Sequence, residues 1–159
     1  MILEDNLRDI NVIKAIIDEP MVVADIITML CGKHLGDGVY RTVYEYNPDP
    51  RYVIKLERPA SFCNLSEHMI WDEVEGLIGD LAWVKKWFAP CKWISPNGRV
   101  LVMQKTYQKS IDVPKKVPEF LWDAKPDNFG WIGSNYVCHD YGQIYNMMHY
   151  SKKMRNINW

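Results

Sequence analysis

Residues 123–142 read DAKPDNFGWIGSNYVCHDYG, and the chemistry of this stretch organises the reading of everything before it. An acid, a cation and an amide follow one another at tight spacing: Asp123, Lys125 and Asn128. Two short apolar runs, 129–132 and 136–138, flank Gly133-Ser134-Asn135, which has the composition of a hairpin turn. The second run delivers another carboxylate, Asp140. A hairpin folded at Gly133 brings its two ends together, so Asn128 and Asp140 are expected side by side. An amide oxygen beside a carboxylate is a hard-oxygen site suited to magnesium. Asp123 and Lys125 would face the same metal-bound group. Read without any chemistry, the same residues are an Asp–Lys ion pair on a proline turn with an ordinary loop asparagine.

Working outward, Lys55 lies inside the run 52–56, YVIKL, whose period of two puts Val53 and Lys55 on one face and Ile54 and Leu56 on the other. Such a lysine either rests its stem along the sheet with its head in water, or holds an anion. Residues 33–36 and 39–46 also read as strands, with Asn47-Pro48-Asp49-Pro50 turning into the next one. Gly36-Asp37-Gly38 lies between the first two. Paired glycines let backbone amides approach phosphate oxygens, and the same tripeptide is a common hairpin turn. Residues 64–79 read as a helix opened by a capping box, Asn64 with Glu67 three residues on. Its apolar stripe comprises Leu65, Met69, Ile70, Val74, Leu77, Ile78 and Leu81. Glu67 and Glu73 flank the stripe, and either could pair with Lys55. Residues 89–95 and 99–105 form a strand pair around Pro96-Asn97-Gly98, and 107–118 is polar and proline-rich, a linker. Residues 5–31 give two amphipathic helices, the second starting at Pro20 and stopped by Gly32, with no chemistry on either.

Composition narrows the function classes. At 159 residues the chain makes one domain or a small two-lobed one, with 48% apolar and 25% charged residues. A net charge of −1 supplies no basic field, so nucleic acid and anionic membrane are poor expectations for a partner. Seven Trp and nine Tyr point to an aromatic core or a partner surface. Cys31, Cys63, Cys91 and Cys138 have no C-x-x-C spacing, which argues against structural zinc and for reduced thiols. No basic flank followed by an apolar run opens the sequence, and no stretch reads as a membrane span. A soluble, cytoplasmic protein is expected, its oligomeric state open.

Asp123-x-Lys125-Pro126-x-Asn128 followed by Asp140-Tyr141-Gly142 resembles the catalytic loop and D-F-G segment of protein kinases. The resemblance extends, in order, over residues 33–142. It implies an α+β protein-kinase-like fold with an antiparallel five-stranded N-lobe sheet and one lobe helix over 32–106. Before this would come a helical extension over 1–31, and after it a minimal C-lobe over 107–159 with the catalytic loop and a metal-binding hairpin. It implies ATP and Mg2+ as cofactors. Gly36, Gly38 and Val43 would cover the nucleotide, and Lys55, held by Glu67, would grip its phosphates. Met103 would be the gatekeeper, and the backbone of Gln104 to Thr106 would face adenine. Asn128 and Asp140 would bind the metal. Asp123 would orient and deprotonate an attacking hydroxyl, and Lys125 would neutralise the moving phosphoryl group.

The departures from the family carry information too. Leu121 and Trp122 stand where its His and Arg would be, Arg41 replaces the third loop glycine, and no A-P-E segment follows Gly142. Such a reduced pattern suits a bacteriophage or another compact genome. The resemblance therefore implies a minimal ATP-dependent phosphotransferase acting on a hydroxyl, on a protein substrate. The alternatives are a pseudokinase that binds nucleotide or a protein target without transfer, and a nucleotidyl transferase.

Overall fold

The computed structural model describes residues 23–59, 61–144 and 149–159. The helix expected over 5–19 lies outside these, as does the start of the one expected from Pro20. The fold is α+β with a five-stranded antiparallel sheet. By compactness the chain divides into two units, one holding residues up to Leu65 with Cys91–Lys105, the other Ser66–Pro90 with Thr106–Trp159.

In the first unit α1 (Val23–Leu30) leads directly into β1 (Cys31–Asp37). Gly32 was expected to stop this helix but lies inside β1 at an ordinary φ. The helix ends instead because Asn47 receives its last carbonyls: Nδ2 donates to Met29 O at 3.0 Å and the backbone N–H to Leu30 O at 2.8 Å. The sheet runs β1-β2-β3-β5-β4, with β2 Arg41–Tyr46, β3 Tyr52–Glu57, β4 Cys91–Ile94 and β5 Val100–Gln104. The β4–β5 turn needs Gly98, whose φ is +73°. Leu30, Tyr46, Ile54, Trp93, Val100 and Val102 bury one sheet face. The opposite face carries Val53, Lys55 and Glu57, as the alternation in 52–57 requires.

Helix α2 (Cys63–Glu75) opens differently from the expected capping box. Asn64 spends its side chain on Lys55 O (3.1 Å) and on the Arg41 guanidinium (3.3 Å). Glu57, reaching over from β3, accepts the N–H groups of Cys63 and Asn64 and the hydroxyl of Ser61. A carboxylate at a helix N-terminus satisfies orphan amides and meets the positive end of the helix dipole. The stripe expected to be buried is also displaced around the helix. Leu65 and Met69 are exposed, the latter by 62%, while Asn64, Glu67, Ile70, Trp71 and Val74 are buried. Gly79–Trp87 continues as a 3-10 helix that has no periodic apolar signature.

In the second unit β7 (Phe129–Ile132) and β8 (Asn135–Cys138) pair around a two-residue turn. Asn135, expected in the turn, opens β8. Gly133 at φ +58° takes the first turn position, where a II′ turn needs a left-handed residue. The stretch expected to be a linker contains β6 (Lys116–Pro118), paired with β9 (Met154–Asn156) from what reads as a tail. Aromatic side chains dominate part of this unit's core: Phe88 stacks on Phe120 at 6.1 Å and meets Tyr141 edge-on at 5.0 Å. Gly130 closes the hairpin against Thr106. A Cβ there would sit 2.6 Å from Thr106 Oγ1 and 2.7 Å from its Cβ. Gly130→Ala is therefore expected to destabilise the protein by roughly 1–3 kcal/mol through overpacking. Chemical denaturation measures this, and an unchanged midpoint would count against so close an approach.

Among the described residues Cys31, Cys63, Cys91 and Cys138 form no disulfide, and burial pushes the Cys31 thiol up to about 11. Among the described residues no helix is long and apolar enough to cross a membrane.

Candidate functional site

Four candidate residues of the first unit, Gly36, Val43, Lys55 and Met103, share one face of its sheet. Residues directly opposite in adjacent strands point the same way. Gly36 lies opposite Val43, Val43 opposite Lys55, and Lys55 opposite Leu101, so a glycine, a valine and a lysine line up across neighbouring strands. Met103 lies opposite Val53, two residues along the same face, and is fully buried. Lys55 is only 3% exposed, which sets aside the reading of a lysine reaching into water. A lysine so enclosed needs anionic company. Gln104 ends β5, and Lys105 pairs with Glu45.

Gly36 and Gly38 sit at the β1–β2 turn, where Gly38 N–H donates to Arg41 O at 2.7 Å. Neither has a positive φ. A Cβ on Gly36 would meet nothing within 4 Å, and one on Gly38 would make only an ordinary 3.6 Å contact. The turn itself thus requires neither glycine, and what a Cβ would obstruct is space outside the chain. Asp37 is held between the Thr42 hydroxyl (2.8 Å) and His34 (2.9 Å), which together lower its pKa, Thr42 foremost.

In the second unit Asp123, Lys125, Asn128 and Asp140 gather at one end of the β7–β8 hairpin. Lys125 Nζ lies 2.9 Å from Asp123 Oδ1. That hydrogen bond and charge, with the Asp140 charge beyond, hold the lysine above its ordinary pKa. Asn128 Nδ2 donates to Asp123 O at 3.0 Å and more weakly to Oδ2 at 3.4 Å, which orients the amide with its Oδ1 on the other side. Pro126–Asn128 forms one 3-10 turn, and His139 N–H donates to Asn128 O at 2.8 Å, placing Asp140 beside it. Among the described residues no three His, Cys, Asp or Glu side chains converge into a metal cage. The Asn128 oxygen and the Asp140 carboxylate are the hard donors that suit magnesium, which takes one or two protein ligands and leaves the rest to water and phosphate.

Glu67 is fully buried, and its Oε1 accepts the N–H groups of Tyr141 (2.9 Å) and Gly142 (3.3 Å). The Tyr141 hydroxyl donates to Ala89 O at 2.8 Å, so the residues after Asp140 are pinned by backbone and side chain alike. Glu73 is exposed and takes the Tyr150 hydroxyl at 2.6 Å, which leaves Glu67 as the enclosed carboxylate of the two. Thr106, expected to contribute its backbone, also uses its hydroxyl on His139 Nδ1 at 2.8 Å, while His139 Nε2 reaches Asp127 O at 2.9 Å. That histidine, like Arg41 and Glu57 at the start of α2, carries no motif in the sequence. The signal available was only that a polar residue adjoins each motif. Compared with known proteins, the chain matches no family model and no curated sequence.

Proposed function

We propose that the chain is a minimal protein-kinase-like phosphotransferase that moves the γ-phosphoryl group of ATP to a hydroxyl on a protein. The observation that carries this reading is the gathering of Asp123, Lys125, Asn128 and Asp140 at one end of a hairpin. It is supported by the buried Lys55 in register with Gly36 and Val43.

In this reading Gly36, Gly38 and Val43 cover the nucleotide, Met103, Gln104 and Thr106 border its base, and Lys55 neutralises its phosphates. Asn128 and Asp140 hold Mg2+, which shields phosphate charge when bound. Glu67 acts on the same site by fixing the backbone that follows Asp140. Asp123 accepts the proton of the attacking hydroxyl as its oxygen bonds to the γ-phosphorus and the bond to the ADP oxygen breaks. Lys125, already turned toward Asp123, offsets the charge on the moving group. Chemistry of this kind is mostly positioning and electrostatics, which a small scaffold can provide.

Nucleotide binding is the direct test. ATP with Mg2+ at a hundredfold excess over its dissociation constant should stabilise the protein by about 2.7 kcal/mol, read as a rise in Tm. Lys55→Ala and Asp140→Ala should each remove most of the rise. A wild-type protein whose Tm responds to no nucleoside triphosphate would defeat the reading.

A further inference from the structure

His139 stands between the two residues read as metal donors. Asn128 lies between two peptide groups, Asp127–Asn128 and Asn128–Phe129, and His139 holds the carbonyl of each. Its backbone N–H donates to Asn128 O at 2.8 Å, and its ring Nε2 lies 2.9 Å from Asp127 O. A carbonyl oxygen only accepts, so Nε2 carries the proton. In the neutral ring Nδ1 then accepts, and the Thr106 hydroxyl donates to it at 2.8 Å. Thr106 is itself held in place, because Gly130 approaches it so closely that a Cβ would sit 2.6 Å from Oγ1. Its neighbour Tyr107 pairs with Trp131 through both backbone groups, at 3.0 and 2.8 Å. The ring is thus fixed at both nitrogens, and the next residue in the chain is Asp140.

We propose that His139 is a positioning residue that sets Asn128 and Asp140 at the spacing a single Mg2+ requires, with Thr106 locking its ring. The proposal rests on the phosphotransferase reading of the same site. Magnesium demands near-ideal octahedral geometry, so its protein donors must be held at a fixed spacing. Asn128 ends a single 3-10 turn, a form whose hydrogen bonds are poor in geometry. The Asp123 carbonyl already orients the Asn128 side chain, and His139 adds the backbone on both sides of it. Groups that orient metal donors typically contribute about ten- to a hundredfold in metal affinity.

Isothermal titration calorimetry of the full chain with adenylyl imidodiphosphate, in Mg2+ and in EDTA, separates positioning of the metal donors from general damage. His139→Ala should weaken binding in Mg2+ about ten- to a hundredfold and leave the EDTA value within about twofold of wild type. A variant that is merely less well folded would weaken both. His139→Gln places an amide N–H near the position of Nε2 and should recover most of the loss. His139→Asn reaches only as far as Nδ1 and should not. These two variants decide the matter if His139→Ala fails to fold. Thr106→Val keeps the shape, removes the hydroxyl and should cost a smaller, severalfold loss in Mg2+. His149→Ala, at an exposed histidine of the same unit, should change neither value. The proposal is overturned if His139→Ala binds in Mg2+ like wild type, if it loses as much in EDTA, or if asparagine rescues and glutamine does not. Equal wild-type affinity in Mg2+ and EDTA would overturn it while leaving nucleotide binding in place. A wild type that binds the analogue in neither solution defeats the phosphotransferase reading itself, and this proposal with it.

Discussion

Glu67→Ala is expected to lower folding stability by roughly 3 kcal/mol, with Glu67→Gln costing distinctly less. The carboxylate has no exposed surface, and it accepts two backbone N–H groups that lie far away in sequence, Tyr141 and Gly142. Alanine strands both donors in the interior, and each unsatisfied buried group costs about 1–3 kcal/mol. Glutamine keeps an acceptor oxygen for these two amides and gives up the charge assistance. The order alanine, glutamine, wild type in denaturant midpoints is therefore the signature of an anchor. A reciprocal helix cap would give a smaller alanine loss, about 1 kcal/mol, so the size of the loss separates the two roles. Equal midpoints for Glu67→Ala and wild type would contradict the anchoring of the segment after Asp140.

Asp123→Ala should reduce turnover by about two to four orders of magnitude while leaving the fold and ATP affinity nearly intact. The variant is clean for a structural reason. Asn128 is oriented chiefly by the Asp123 backbone carbonyl, at 3.0 Å, and that carbonyl survives the substitution; the side-chain contact at 3.4 Å is weak. The metal donors would thus keep their posture while the proton acceptor is lost. Steady-state kinetics read the difference as a fall in kcat with KM for ATP little moved. A variant that turns over at the wild-type rate would remove Asp123 from the chemistry, and one that lost nucleotide binding instead would make it a binding residue.

What could be read from sequence was local. The alternation in 52–57 placed Val53 and Lys55 together, and the turn residues at Gly98 and Gly133 marked the β4–β5 and β7–β8 hairpins, because period and positive φ leave traces in neighbouring residues. Asn128 and Asp140 are expected side by side, and the hairpin between them brings His139, the neighbour of Asp140, onto the Asn128 carbonyl. What escaped was non-local or short. Helix α2 turns Glu67 inward and Met69 outward because distant amides need an acceptor, and apolar periodicity contains no record of that need. β6 and β9 are three residues each, too short for alternation, and their pairing joins segments far apart in the chain. Glu57, rather than the expected capping box, starts α2 because a strand carboxylate lay within reach of the first amides.

Incubation of the wild-type protein with Mg2+ and either γ-labelled or α-labelled ATP, with an added protein acceptor mixture, tests the central claim most directly. The account predicts γ-label on a protein hydroxyl, no α-label, and loss of the γ-label with Asp123→Ala. α-Label on protein would make the chain a nucleotidyl transferase, and nucleotide bound without label on any acceptor would make it a binding protein; either result contradicts phosphoryl transfer.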